Sequence, residues 1–172
     1  SELITHYYGE DFGIDSRVCR YHNVYGPLGT YDGGREKVPA AICRKVIEAK
    51  MSNNYEIEIW GDGEQTRSFL YIDECIEATR RLMDSDVTEP INIGSEEMVT
   101  INQLVDIAAE IAGKKITKDH VDGPLGVRGR NSNNDLIREK LGWDYEMTLE
   151  EGMKKTYEWV RWQVSKQIYS VV

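Results

Sequence analysis

Positive charge is scarce in this chain. It carries 21 Lys and Arg against 30 Asp and Glu, for a formal net charge of −9. That balance excludes the broad basic surface that nucleic acid or an anionic membrane requires, so neither is expected as a partner. Any anion would have to be captured by a local cluster of Arg and Lys. Cysteine is also sparse. Cys19, Cys43 and Cys75 are odd in number and far apart, and they show neither metal spacing nor a disulfide framework. Each reads as a small buried apolar residue, and a reduced, cytoplasmic setting is expected. No run approaches the ~20 apolar residues that span a bilayer. The opening residues lack the basic region and apolar core of a signal peptide. There are no repeats and no low-complexity tracts. A P-loop, G-x-S-x-G and H-E-x-x-H are all absent, and His6, His22 and His120 lack partner spacing for metal or nucleophilic chemistry. The first residue is Ser1 rather than Met, as expected of a piece of something longer.

What is present is 172 residues, enough for one domain or a little more. A chain of this size buries roughly 70% of its unfolded surface. Leu3, Ile4, Tyr7 and Tyr8 recur at helical spacing before Gly13, so residues 1–12 read as the end of a helix. Residues 15–21 read as a strand, followed by a loop through Gly26, Gly29, Gly33 and Gly34. A helix is expected over 40–51, with Pro39 at its start and Ile42, Val46 and Ile47 on its apolar face. Residues 55–60 alternate Ile57 and Ile59 with Glu56 and Glu58, the pattern of a half-buried strand. A second strand is expected over 68–72, then a helix to Met83 capped by Asp73. A short strand over 90–93 ends at Gly94. Thr100 caps a helix bearing Leu104, Ile107, Ala108 and Ile111, and Gly113 stops it. A strand over 116–121, a loop over 123–134, a short helix over 135–141 stopped by Gly142, and a last helix capped by Thr148 complete the reading. Strands alternating with helices define an α/β class.

Three constellations offer chemistry. The turn Gly61-Asp62-Gly63 leads into a strand with Arg67 at its entrance, and a guanidinium fixed there suits a phosphate, because its planar fork donates paired hydrogen bonds. Gly123-Pro124-Leu125-Gly126-Val127-Arg128-Gly129 spells G-x-x-G-x-x-G. A dinucleotide site needs a helix to open at such glycines, whereas here Pro124 and the loop-like Arg130-Asn131-Ser132-Asn133-Asn134 intervene. It reads either as a loop that closes over a ligand with Arg128 and Arg130 or as a solvated surface loop. Gly33-Gly34-Arg35-Glu36-Lys37-Val38-Pro39 places Lys37 before a helix. Lys45, eight residues on, would face the same way if that helix began early. Asn23, at the carboxyl end of a strand where α/β crevices form, could bond a phosphate or sugar, or could simply close a turn.

Arg20-Tyr21-His22-Asn23-Val24-Tyr25-Gly26-Pro27, Gly61-Asp62-Gly63, Gln65-Thr66-Arg67-Ser68-Phe69-Leu70-Tyr71-Ile72-Asp73, Asn92-Ile93-Gly94 and Leu141-Gly142-Trp143 together resemble the C-terminal half of extended short-chain dehydrogenase/reductases acting on nucleotide sugars. Within that superfamily, the segments 33–41, 95–99 and 126–132 look most like the GDP-mannose 3,5-epimerase branch. The fold this implies is the C-terminal substrate-binding portion of such an enzyme, made of the last Rossmann elements plus a small α/β substrate domain. The N-terminal NAD-binding portion would be absent. Residues 1–23 would be a residual Rossmann helix and strand, with Ser1 just after the catalytic lysine of the family. Residues 24–172 would be the nucleotide-sugar-binding domain, with segments returning to the Rossmann sheet.

The resemblance also implies roles. Asn23 would contact the nucleotide sugar and Glu36 would line the sugar. Lys37 would be the acid that reprotonates a ring carbon, with a pKa lowered by partial desolvation. Lys45, Gln65, Thr66, Arg67 and Arg130 would hold the diphosphate. The family mechanism is transient oxidation at C4 by tightly held NAD, epimerisation at C3 and C5, and return of hydride. The Tyr-x-x-x-Lys pair that oxidation requires is missing, as is a glycine fingerprint. None of the three cysteines matches the family's base. NAD is therefore expected in the parent protein and not in this piece, which alone would be inactive. The parent would be a homodimer using a nucleotide sugar, GDP-mannose first. The alternatives are a UDP-, dTDP- or GDP-sugar 4-epimerase, dehydratase or reductase of the same superfamily, or a non-catalytic nucleotide-sugar-binding module.

Overall fold

Apolar residues at helical spacing on three helices build the largest core, which draws on both halves of the chain. The structure is a computed structural model describing residues 2–123 and 126–169. Its elements run α1 (Glu2–Phe12), β1 (Cys19–Tyr21), β2 (Val24–Tyr25), α2 (Val38–Ser52), β3 (Glu56–Trp60), β4 (Thr66–Ser68), β5 (Leu70–Tyr71), α3 (Ile72–Met83), β6 (Ile91–Ile93), β7 (Met98–Thr100), α4 (Ile101–Ala112), β8 (Thr117–Val121), β9 (Gly129–Arg130), α5 (Asp135–Leu141) and α6 (Leu149–Tyr169).

Pairing is mostly parallel, between strands distant in sequence. β1 pairs with β6, β2 with β5 and β3 with β8, all parallel. β4 lies between antiparallel β7 and parallel β9. Such pairing needs long crossovers, and helices supply them, which is the α/β arrangement expected. One core joins α2, α4 and α6 to Ile57, Ile59 and Phe69, with Val46, Leu104, Met153 and Val160 fully buried. A second joins Leu70, Cys75, Leu82, Ile91, Ile93, Ile137 and Trp143, against which Cys19 and Val24 pack.

Local chemistry sets the helix ends. The Thr100 hydroxyl accepts from the Gln103 N–H at 3.0 Å while the Gln103 amide oxygen accepts from the Thr100 N–H at 2.8 Å, a reciprocal cap. Thr148 and Glu151 repeat it at α6. Gly113 and Gly142 take the left-handed conformation that ends α4 and α5.

Three expectations need correction. Asp73 is not a cap: α3 begins one residue earlier, after Tyr71, and Asp73 and Glu74 occupy its first turn, where carboxylates meet the positive end of the helix dipole. The strand expected over 68–72 is two strands, because Phe69 turns into the large core and β4 and β5 take different partners. The strand expected over 15–21 pairs only from Cys19. Among the described residues no helix is long and apolar enough to cross a membrane. Cys43 and Cys75 are buried free thiols and Cys19 is half-buried; burial pushes the Cys43 thiol up to about 12.

Candidate functional site

β4 carries Thr66, Arg67 and Ser68, and its position between two strands decides what its side chains meet. On its parallel side, the register opposes Thr66 to Gly129 and Arg67 to Arg130. The two arginines, 63 positions apart in sequence, are therefore directly paired neighbours across one ladder. Opposed residues of paired strands project to the same face, so two guanidinium groups share one surface. Neither has a carboxylate partner. Arg67 donates to the Thr66 carbonyl at 2.6 Å and to the Val127 carbonyl, using two of its five N–H groups. Arg130 is exposed, and its side chain makes no hydrogen bond or ion pair with a described residue.

Arg128 behaves differently. It forms a bidentate pair with Asp62 at 2.7 and 3.0 Å, and that guanidinium holds the Asp62 carboxyl below its usual range. The loop therefore presents Arg130 but not Arg128, which fastens the loop to the turn before β4. Pro124 and Leu125 lie outside the described residues. No helix opens at Gly126 or Gly129; β9 follows instead, so the dinucleotide reading of these glycines fails on geometry.

Asn23 joins this surface to a cavity. It sits in the left-handed region at φ 44°, which Asn tolerates better than most residues. Its amide donates to the Ser68 carbonyl at 3.0 Å, and its own carbonyl accepts from the Leu70 N–H at 3.2 Å. Asn23 thus ties the segment between β1 and β2 to the β4–β5 junction, and it also lines a cavity of about 510 Å³ shared with Lys37, Tyr21 and Arg80. Lys37 precedes the first turn of α2, is exposed, and pairs with no described carboxylate. The desolvation expected around it is not present in this chain.

Glu36 points back under its own loop. It accepts from the Gly34 N–H at 2.7 Å and faces Arg44 at 3.5 Å. Lys45 does not join Lys37, because α2 begins only after Lys37. Its ammonium donates instead to the Glu58 carbonyl at 2.7 Å, beside a separate depression. Gln65 donates to the Trp60 carbonyl at 3.4 Å. Glu58 and Trp60 are two residues apart, so their carbonyls point to the same free edge of β3, opposite β8. Lys45 and Gln65 therefore share that edge. Among the described residues, three buried side-chain polar atoms lack a partner, and two of them, Gln65 Oε1 and Ser68 Oγ, flank Arg67. A buried polar atom left without a partner costs about 1–3 kcal/mol. Ser68, next to Arg67 in β4, projects to the opposite, buried face.

Sequence reasoning missed the residues that support this surface. Asn134 is fully buried. Its amide donates to the Gly94 carbonyl at 2.7 Å, and its oxygen accepts from the Ser132 hydroxyl at 2.7 Å. A Cβ at Gly94 would fall 2.6 Å from that of Ser132 and 2.8 Å from that of His22, so only glycine lets the loop dock against the end of β6. Arg138 pairs with Glu96 at 2.6 Å and Asp144 at 2.8 Å, which keeps the Glu96 carboxyl low. Asn134 was legible only as loop composition and Arg138 only as a helix residue, while Gly94, Glu96 and Ser132 fell in segments that carried the resemblance without a role of their own. Among the described residues no group of three or more His, Cys, Asp or Glu is placed to hold a metal.

The parallel α/β frame defines a class, and the comparisons with known proteins agree on it. The model of the NAD dependent epimerase/dehydratase family matches residues 1–94, more than half of the chain. The chain belongs to that family. It is 50% identical over 167 residues to GDP-mannose 3,5-epimerase of Arabidopsis thaliana, covering 97% of this chain and 43% of that protein. It is 33% identical over 150 residues to probable GDP-L-fucose synthase 1 of Oryza sativa subsp. japonica, covering 86% and 45%. The crystal structure of UDP-glucose 4-epimerase from Thermotoga maritima with UDP-glucose superposes with a TM-score of 0.85 at 31% identity, covering 95% of this chain and 51% of that one. The chain spans less than half the length of the curated relatives it matches.

Proposed function

We propose that this chain is the nucleotide-sugar-binding part of an NAD-dependent sugar-nucleotide epimerase, acting on GDP-mannose by 3,5-epimerisation. One observation carries the reading: Arg67 and Arg130, without carboxylate partners, oppose each other across a ladder whose end is bonded to Asn23. A diphosphate suits that face, since two planar forks can pair its oxygens in a protein otherwise too acidic to attract anions. Gln65 immediately precedes that strand and Thr66 opens it, while Lys45 stands at the edge of β3, bonded to the Glu58 carbonyl. The sugar would then extend past Asn23 toward Lys37, with Glu36 behind it.

Lys37 acts as the acid. Its ammonium N–H bond breaks, the proton joins the carbanionic ring carbon, and a neutral amine remains that recovers a proton from solvent. Making the neighbouring C–H groups acidic requires a ring ketone, and thus a nicotinamide cofactor. The residues present do not fit one: no tyrosine has Lys four positions on, and no glycine turn opens a helix. No step of that oxidation is assigned to this chain. Residues 1–23 serve as Rossmann elements and 24–172 as the substrate domain with returning segments. The whole protein is a cytoplasmic homodimer.

The test uses the complete protein with GDP-mannose in deuterium oxide. Deuterium should enter C3 and C5, and Lys37→Ala should slow this by about 100-fold or more, within the range ascribed to a general acid. Incorporation at C4 alone, or an unaffected Lys37→Ala, would refute the reading. The 172-residue chain titrated with NAD by calorimetry should show no micromolar binding.

A further inference from the structure

Lys37 has no side-chain partner among the described residues, so its aim depends on its backbone, and the backbone on both sides of it is held unequally. C-terminally, its carbonyl accepts the first α2 bond from the Ala41 N–H at 3.0 Å. N-terminally lie Gly33 and Gly34, both with positive φ (91° and 84°) and nothing near where a Cβ would stand. Two such glycines leave a loop with little conformational restraint of its own. Restraint comes from one side chain, Arg44, two turns along α2. Its guanidinium donates to the Tyr31 carbonyl at 3.1 Å, faces Asp32 at 3.6 Å and Glu36 at 3.5 Å, and is braced by Glu48 at 2.9 Å. Asp32 and Glu36 in turn accept the Gly33 and Gly34 N–H groups at 2.8 and 2.7 Å. Tyr31, where the clasp begins, packs edge-on against Trp159 of α6 and is bonded through its hydroxyl to Gln167. Arg44 thus spans the loop from Tyr31 to the residue before Lys37. It is 18% exposed, more sheltered than the carboxylates of Asp32 and Glu48 that it gathers.

We propose that Arg44 is a positioning residue for the proton transfer, acting through Glu36 and the 31–36 loop to hold Lys37 at the sugar. This rests on the reading of Lys37 given above. Lysine could not replace Arg44, because a point charge cannot serve a carbonyl and two carboxylates on separate sides as a planar fork does.

The test is a double-mutant cycle in the complete protein, reading deuterium entry at C3 and C5 of GDP-mannose, with GDP-mannose affinity and thermal midpoint measured alongside. Arg44→Ala should slow deuterium entry roughly 10- to 100-fold, the scale of a small misplacement of a reacting group. Affinity should stay within about threefold, since the diphosphate residues are untouched. Arg44→Lys should fall between Arg44→Ala and wild type. In the Lys37→Ala background, Arg44→Ala should change nothing further, because the group it aims is gone. If Arg44→Ala fails to fold, Arg44→Gln keeps the stem and one donor to Tyr31 while losing the pairing with Glu36, and should show the same deficit. Wild-type exchange in these variants, or an equal further loss on top of Lys37→Ala, overturns the proposal while leaving the role of Lys37 intact. Unchanged exchange in Lys37→Ala alone overturns both.

Discussion

Arg130 and Arg138 stand eight residues apart, on either side of one loop, and their surroundings have opposite character. Arg138 is surrounded by carboxylates: Glu96 at 2.6 Å, Asp144 at 2.8 Å and Asp135 at 3.6 Å. Arg130 has none, and its ladder neighbour Arg67 bonds only carbonyls. In a chain with nine more acidic than basic residues, carboxylates are available nearly everywhere. Two adjacent arginines kept clear of them, despite their mutual repulsion, make sense when an external anion supplies the missing charge. The difference separates cations paired within the fold from cations that, under the function proposed above, pair with a ligand.

Arg67→Ala tests that distinction hardest. In the complete protein it should weaken nucleotide-sugar binding by about 2–5 kcal/mol, as expected for losing one member of a shielded charge pair. Calorimetry with GDP-mannose would read it, and unchanged affinity would return Arg67 to the scaffold class. Asn134, four residues from each arginine, should mix the two behaviours. Asn134→Ala leaves the Gly94 carbonyl and the Ser132 hydroxyl unpaired, so urea denaturation should show a loss of about 1–3 kcal/mol. Nucleotide-sugar affinity should drop as well, because the loop bearing Arg130 is released from β6. Arg138→Ala should lower stability only slightly, as removal of an exposed ion pair does, with affinity unchanged. That cost should depend on pH. The Glu96 carboxyl is depressed in the fold below its ordinary 4.5, chiefly by its bond to Arg138. The stabilisation is therefore complete above 4.5 and fades as pH falls through the lower folded value, when Glu96 takes up its proton. Denaturation at pH 7 and pH 3 should show a smaller Arg138→Ala penalty at the second than at the first.

Helix limits were legible because they depend on bonds a few residues long. Thr100 with Gln103, Gly113 and Gly142 state their roles locally. Core faces were less secure. Leu3, Ile4, Tyr7 and Tyr8 repeat at the same spacing as Leu104, Ala108 and Ile111. Yet α1 buries no residue, while Leu104 and Ala108 are fully covered. Periodicity reports that a face is apolar and says nothing of what lies against it. Within the candidate site, Asn23, Arg67 and Arg130 were readable as residue types suited to a sugar diphosphate. Arg44, Asn134 and Arg138 were not, since a supporting residue is defined by partners from other segments.

From composition and short patterns alone came the α/β class, the family resemblance and the identity of the cations worth watching. All of these rest on residue chemistry or on neighbours within one helical turn. The tertiary structure alone decided that Arg67 opposes Arg130, that Arg128 is spent on Asp62, that Lys45 parts company with Lys37, and that Arg44 reaches back over the loop before α2. Each of these depends on strand order, register or where a helix starts. A charge acquires its role from whatever the fold brings within a few ångströms of it, and along most of the chain that neighbour is tens of residues away.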